Sequence, residues 1–289
     1  YTHSNVWVVP KAGLFAGSAT VSTFINGVPS MYTPMGVDND DSQSTEGYFI
    51  GTDRSVQSTL RVVKVSNSGG TPTLGSVLTL TVPTTAAPIL QPASGSTTSL
   101  ETSDTRLIKA AIHKNKLTGS STLWTAHHIQ VNTSCVGSSS GGRNGARWYE
   151  ITGSAPTTAA PLGGTITLKQ SGTVCDSAAS GPQGYIYPSV IETGQGHMAL
   201  GSTFASSTLF AGIAVAGRLR TDTLGAAQAA TTAQSGLASY TAVGGGRNRW
   251  GDYSFTDVDP NDDQTVWTFQ EYADSTRNNW AVRAVQLRA

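Results

Sequence analysis

Three histidines are the first residues whose types and spacing suit chemistry. His113 and the adjacent pair His127 and His128 fall on two segments that read as neighbouring strands. Imidazole is the side chain that changes charge near neutral pH and that most often ligates metals. His113 and one of the pair could share a sheet face, whereas His127 and His128 must point to opposite faces, because strand side chains alternate. Such a pair beside a carboxylate could hold a metal or move a proton. The same residues also suit plain hydrogen bonding between packed sheets. Two acidic loops, Val37-Asp-Asn-Asp-Asp41 and Val258-Asp-Pro-Asn-Asp-Asp263, offer oxygen ligands at Asp38, Asp40, Asp259, Asn261 and Asp263. Hard cations take several such oxygens, so calcium is the ion implied. Asp and Asn equally make turns by bonding their own backbone. No CxxC or HExxH spacing occurs.

Composition bounds what these residues can serve. Only 12% of the 289 residues are charged and the formal net charge is zero; soluble domains average about 25% charged residues. Ser, Thr and Gly stand where Lys and Glu usually do, as in a rigid extracellular β-protein. The 38% apolar content, patterned in strands, argues against disorder. Without a basic run, nucleic acid is excluded as the main partner. No apolar stretch is long enough for a membrane-spanning helix. Tyr1-Thr-His-Ser carries no signal-peptide pattern, so a mature or trimmed chain is expected. Cys135 and Cys175 lie in Ser/Gly-rich loops and are expected to pair, which fits an oxidising compartment. Asn132-Thr-Ser is a glycosylation sequon, meaningful only in a eukaryotic secretory host.

The elements that position these groups recur. Tyr48, Trp124, Met198 and Trp267 sit at like places in four short strands, 76, 74 and 69 residues apart. Each is preceded by another strand and followed by a third. A fourth is clearest at Val77 to Val82 and Thr165 to Lys169. Repeated four-strand units predict an all-β fold, a single β-propeller of about five four-stranded blades with a repeat of about seventy residues. The divisions are a partial blade over 1–28, blades over 29–92, 104–170 and 183–243, and a last blade over 247–289. Thr223 to Gly236 is Ala-rich and is the one place where a short helix is expected. The chain starts in mid-blade and ends one strand short. Closure is therefore expected from an upstream segment, or from another chain through the open blade edges, giving a homo-oligomer or larger assembly.

Arg249-Trp-Gly-Asp-Tyr-Ser, Val258-Asp-Pro, Val266-Trp and Asn279-Trp resemble the closing repeat of secreted bacterial proteins with a sialidase-like β-propeller. Leu123-Trp, Arg147-Trp-Tyr-Glu and Tyr185-Ile-Tyr-Pro resemble their middle blades. That family has no settled activity, so the resemblance implies fold and secretion. Sialidases proper clamp a carboxylate with three arginines and use a Tyr nucleophile with a Glu partner and an Asp acid. The positions suggested here are Arg106, Arg147 and Arg249, Tyr149 with Glu150, and Asp104 or Asp252; His113 is a further catalytic candidate. Asp259 to Trp267 only loosely echoes the sialidase Asp-box. The leading expectation is a secreted or cell-surface binding or structural module for a glycan or extracellular protein. Its ligand would meet Arg106, Arg147, Tyr187 and Arg249 on the axial face. A carbohydrate-active enzyme, glycosidase or polysaccharide lyase, is the alternative for the same face.

Overall fold

The computed structural model describes residues 3–18, 23–28, 31–53, 55–67 and 70–289. The fold is all-β. β1 (Ser4–Val8) and β2 (Thr23–Val28) flank the one-turn helix α1 (Lys11–Phe15) and pair as sheet one. Sheet two runs β3 (Tyr32–Gly36), then, past the two-residue β4 (Asp38–Asn39), β5 (Glu46–Thr52), β6 (Thr59–Ser66) and β7 (Thr73–Thr81). Sheet three is β8 (Lys109–Lys114), β9 (Ser121–Val131), β10 (Arg143–Gly153) and β11 (Ile166–Val174), with β4 added parallel to β8. Sheet four is β12 (Gly184–Glu192), β13 (Met198–Ser206), β14 (Leu209–Arg218) and β15 (Thr231–Gln234). The short pair β16 (Val243–Gly244) and β17 (Arg247–Asn248) precedes sheet five: β18 (Phe255–Val258), β19 (Val266–Ala273) and β20 (Trp280–Leu287). Apart from β4, each sheet is an antiparallel meander in chain order. Among the described residues no helix is long and apolar enough to cross a membrane.

The sheets stack face to face in sequence. Alternation sends Tyr48 and Ile50 of β5 into sheet three, against Leu123, Tyr149 and Ile151, while Phe49 turns back towards Val6 and Val28 of sheet one. Sheet three turns Trp124 and Trp148, stacked with centroids 5.8 Å apart, towards Met198, Leu200 and Phe204 of sheet four. Sheets four and five meet closely: a Cβ on Gly201 would lie 2.2 Å from Thr268 Oγ1. Hydroxyls fill that interface, with Ser189 Oγ 2.6 Å from Thr256 Oγ1, itself 2.8 Å from Thr268 Oγ1.

The first strands of different sheets also meet. The ammonium of the buried Lys109 in β8 donates to the Thr256 carbonyl oxygen in β18 and lies 3.2 Å from Asp257 Oδ2. Its Nζ stands 4.2 Å above the Phe255 ring centroid. Burial lowers the Lys109 pKa, and Asp257 opposes that shift. Sheets three and five thus touch at their first strands although sheet four separates them in the chain, and β12 packs on both β8 and β18.

Two expectations are corrected. The Ala-rich stretch from Thr223 to Gly236 holds strand β15 and no helix, because Thr231 and Thr232 pair with Val215 and Ala214 on the otherwise free edge of β14. The helix lies at Lys11–Phe15 instead. Met198 does not match Tyr48 and Trp124 in direction. Those two face the next sheet, whereas Met198 faces the previous one and Ala199 takes the forward position. A one-residue offset in a strand reverses the face.

Cys135 and Cys175 form a disulfide, as expected, tying the β9–β10 loop to the segment after β11. It closes a loop with a sequence separation of 40. In the chain-entropy treatment that is worth about 4 kcal/mol. Replacing both cysteines by serine should therefore lower the urea-unfolding free energy by about that amount. A loss below about 1 kcal/mol would show that the loop is already ordered in the unfolded chain.

Candidate functional site

The strands that converge bring an unusual backbone to one rim. Thr33 in β3 (φ 44), Ser103 ahead of β8 (φ 57), Tyr187 in β12 (φ 50) and Gly251 ahead of β18 (φ 38) are all left-handed. Thr33 and Tyr187 each precede a proline and sit in register shifts, between Tyr32 and Met35 and between Ile186 and Ser189. Bulges of this kind re-aim side chains next to sites. A positive φ in a bulky residue is strain that its surroundings must hold.

At Tyr187 the holding groups are visible. Its N–H donates to His128 Nδ1 (3.1 Å), its hydroxyl donates to the Glu101 carbonyl (3.1 Å), and its carbonyl accepts from Ser254 Oγ (2.6 Å). His128 accepts at Nδ1, so its proton is on Nε2 and goes to the Thr102 carbonyl. Burial pushes its pKa down to about 4. His127, on the opposite face, donates from Nδ1 to the Thr105 carbonyl and faces the Tyr149 hydroxyl at 2.9 Å. Burial drives its pKa down to about 3. Both imidazoles are neutral supports of the segment that leads to β8.

An ionic cluster lies on this support. Asp104 accepts two bonds from the Arg106 guanidinium (2.9 and 2.8 Å), one from its N–H (2.9 Å) and one from the Tyr32 hydroxyl (2.6 Å). Burial pushes the Asp104 carboxyl up, but these bonds outweigh it and hold it down to about 2. Asp104 holds the Arg106 pKa up, and the neighbouring Tyr253 adds to that. Glu101 takes Arg247 on one oxygen and Arg249 on the other (3.1 Å), and Arg249 reaches Asp252 at 3.6 Å. Beneath Gly251, burial, with Asp252 adding to it, pushes the Glu271 carboxyl up to about 7. Sheets two to five thus each contribute to one rim, through Tyr32, Arg106, Tyr187 and Tyr253.

Of the residues singled out by sequence, Asp104, Arg106, Tyr187, Arg249 and Asp252 come together here, and Arg147, Tyr149, Glu150 and His113 do not. Arg147 is buried on β10, bonded to Thr173 Oγ1 (2.6 Å) and the Pro83 carbonyl (3.4 Å), so the three arginines form no clamp. Tyr149 and Glu150 are successive strand residues and face opposite ways. Tyr149 enters the core against sheet two, and Glu150 is enclosed by Lys169, Gln170 and Thr122. They cannot act on one substrate atom. His113 shares a face with His128, but the two lie six strand positions apart in register, about 20 Å. His113 instead bonds Asp263 Oδ1 (2.7 Å), whose other oxygen takes Lys116 (2.7 Å).

The acidic loops close on themselves. Asp259 Oδ1 accepts from Asn261, and its Oδ2 accepts from the Trp267 indole. Asn39 and Asp41 cap N–H groups two residues on. Asp38 belongs to β4, where burial raises its pKa and Lys109 opposes the rise. Among the described residues no three His, Cys, Asp or Glu side chains gather as a metal would need. Of the residues offered for calcium, Asp259 and Asn261 are thus engaged in a turn, Asp263 pairs with His113 and Lys116, and Asp38 lies in β4, so these carboxylates do not converge.

A cleft of about 230 Å³ opens elsewhere, between the far ends of sheets four and five, and is lined by His197, Met198, Val215, Val266 and Leu287. It carries neither the strain nor the paired charges of the rim. No protein-family model, curated protein or solved structure matches the chain.

One buried group escaped the sequence altogether. Glu192 ends β12 with no motif around it, and packing brings it to Glu150 between sheets three and four. Thr122 Oγ1 lies 3.0 Å from Glu150 Oε1 and 3.2 Å from Glu192 Oε2, while accepting from the Trp124 indole at 2.9 Å. A hydroxyl has one proton, so it serves one carboxylate only. A proton held on Glu192 completes the set, and burial, with Glu150 adding to it, pushes the Glu192 pKa up to about 7.

Folded Glu192 keeps its proton to about pH 7, against 4.5 when unfolded, so its contribution to stability falls as pH rises between those values. The two buried histidines act oppositely, because the unfolded imidazoles take protons below 6.5 and the folded ones only near 4 and 3. Glu192→Gln keeps the protonated shape. It should raise the Tm at pH 8 by several degrees, for a linkage of about 3 kcal/mol, and by much less at pH 5. Equal effects at both pH values would count against the buried proton.

Proposed function

We propose that the chain is a β-propeller repeat protein, secreted or displayed at a cell surface, that binds a glycan at the rim formed by its first strands. Support for the architecture comes from five sheets stacked in chain order and from first strands that meet across an intervening sheet. The resemblance of the closing repeat to sialidase-like propeller proteins points the same way. The disulfide and the scarcity of charge favour an oxidising, extracellular setting.

The observation that carries the functional reading is the rim itself. The segments leading into β8 and β18 deliver guanidinium–carboxylate pairs whose charges cancel, beside Tyr32 of β3, Tyr187 of β12 and the half-exposed ring of Tyr253. A charged ligand would have to break these pairs. A neutral sugar need not: its hydroxyls can bridge planar carboxylate and guanidinium edges while a ring face lies on the tyrosine.

A second reading, a glycosidase using the same rim, is favoured by one observation. The Glu271 carboxyl is pushed up to about 7 beside Asp252, and two acids set apart by their surroundings are what glycoside hydrolysis uses.

One screen separates the two. Neutral oligosaccharides should bind in calorimetry, and Tyr253→Ala should weaken binding about tenfold, the order expected for losing a stacked ring. Reducing sugar released on incubation, and abolished by Glu271→Gln, would move the assignment to the hydrolase. Absence of binding across neutral and acidic glycans would remove both.

A further inference from the structure

Every inner sheet buries both faces, and always in the same sense. The face that a sheet turns forward along the chain packs on the face that its successor turns back: Tyr48 and Ile50 meet sheet three, and Trp124 and Trp148 meet sheet four. The two end sheets each keep one such face uncovered. On sheet one, Val6 and Ile25 pack forward on sheet two, so the backward face carries Trp7 and Phe24, with rings 4.9 Å apart and residues 58% and 51% exposed. On sheet five, Val258, Val266 and Leu287 pack back on sheet four. The forward face carries Phe255, Phe269, Trp280 and Val282, the last two 57% and 55% exposed. Single exposed apolar residues are ordinary, whereas contiguous aromatic patches mark contacts.

One uncovered face is of the forward type and the other of the backward type, the two kinds that each internal contact joins. The chain does not cover one with the other, since both patches are open at once. We infer that a second copy of the chain does so: sheet five of one molecule packs on sheet one of the next, repeating the internal sheet-on-sheet contact between chains. A contact of unlike faces is heterologous, so it continues until a ring closes or a filament grows. The zero formal net charge adds no general repulsion between copies.

The test uses the whole chain in sedimentation velocity between about 1 and 200 µM, a range that brackets ordinary protein–protein affinities. The expected result is a mean mass that rises with concentration beyond the dimer. Trp7→Asp and Val282→Asp, both at open positions and checked for native circular dichroism, should each give monomers, with association weakened at least tenfold. Mixed in equal amounts they should form dimers and nothing larger, because each supplies the face that the other has lost. Trp7→Ser and Val282→Ser repeat the experiment should either charged variant fail to fold. A wild-type chain that stays monomeric throughout overturns the inference. So does a mixture that stays monomeric while the wild type associates, and so does either variant that still associates by itself, the pattern of a like-with-like contact.

Discussion

A sheet buried on both faces has no wet side. This single constraint, applied to sheets two to four, sets most of what the sequence must do. An ordinary half-exposed strand can alternate apolar and polar residues. Here every position of β13 is buried, and its polar members have to find partners inside. The sequence meets this with small hydroxyls and glycine. Ser189, Thr256, Thr268 and Gln270 bond one another between sheets four and five, and Gly201 lets those sheets approach. Where a full charge is enclosed, as at Lys109, it is met by a carbonyl, a carboxylate and an aromatic face together. The low charge content follows from the same geometry, since little strand surface is left on which a Lys or Glu could stand.

The constraint also explains where strain can reside. A left-handed Tyr187 persists only because three hydrogen bonds and the His128 ring over-determine it. Those partners come from strands locked between neighbouring sheets. The rim therefore receives side chains from four sheets whose positions are fixed behind it, while its outward groups stay in water. Its ion pairs are partly exposed and add little to stability. Their value is geometric: Asp104 and Arg106 hold each other flat and in place before any ligand arrives.

Much of this was legible in the sequence. Most strands of the five sheets could be read from β-branched runs between turn residues, though not β4 or β15, and the recurrence from the spacing of Tyr48, Trp124 and Trp267. The limits were physical ones. Met198 stood one position from the true equivalent, Ala199, and spacing alone cannot see which face a residue takes. Thr231 to Gln234 sits in an Ala-rich stretch, and the free edge of β14 outweighed that local preference. Tyr149 and Glu150 invite a catalytic pairing as letters, and the pleat separates them. Arg106, Tyr187, Arg249 and Asp252 were legible as rim residues because each lies in or shortly ahead of a first strand. Glu192, Glu101 and Glu271 were not, since nothing local marks a carboxylate whose partner arrives from another sheet.

Enclosure on both faces has a further consequence at the ends of the stack. An inner sheet is stabilised twice, once by each neighbour, and the contact between sheets three and four buries the large rings of Trp124 and Trp148. An end sheet is stabilised once. Sheet one has two strands and one packed face, and sheet five has three strands. A strand set of that size is marginal by itself in water. Phe255 apart, whose ring meets Lys109, the aromatic residues on their open faces are of the type that stabilises the interior. A fold whose repeats each rest on the next has, at both ends, the surface that one more repeat would need.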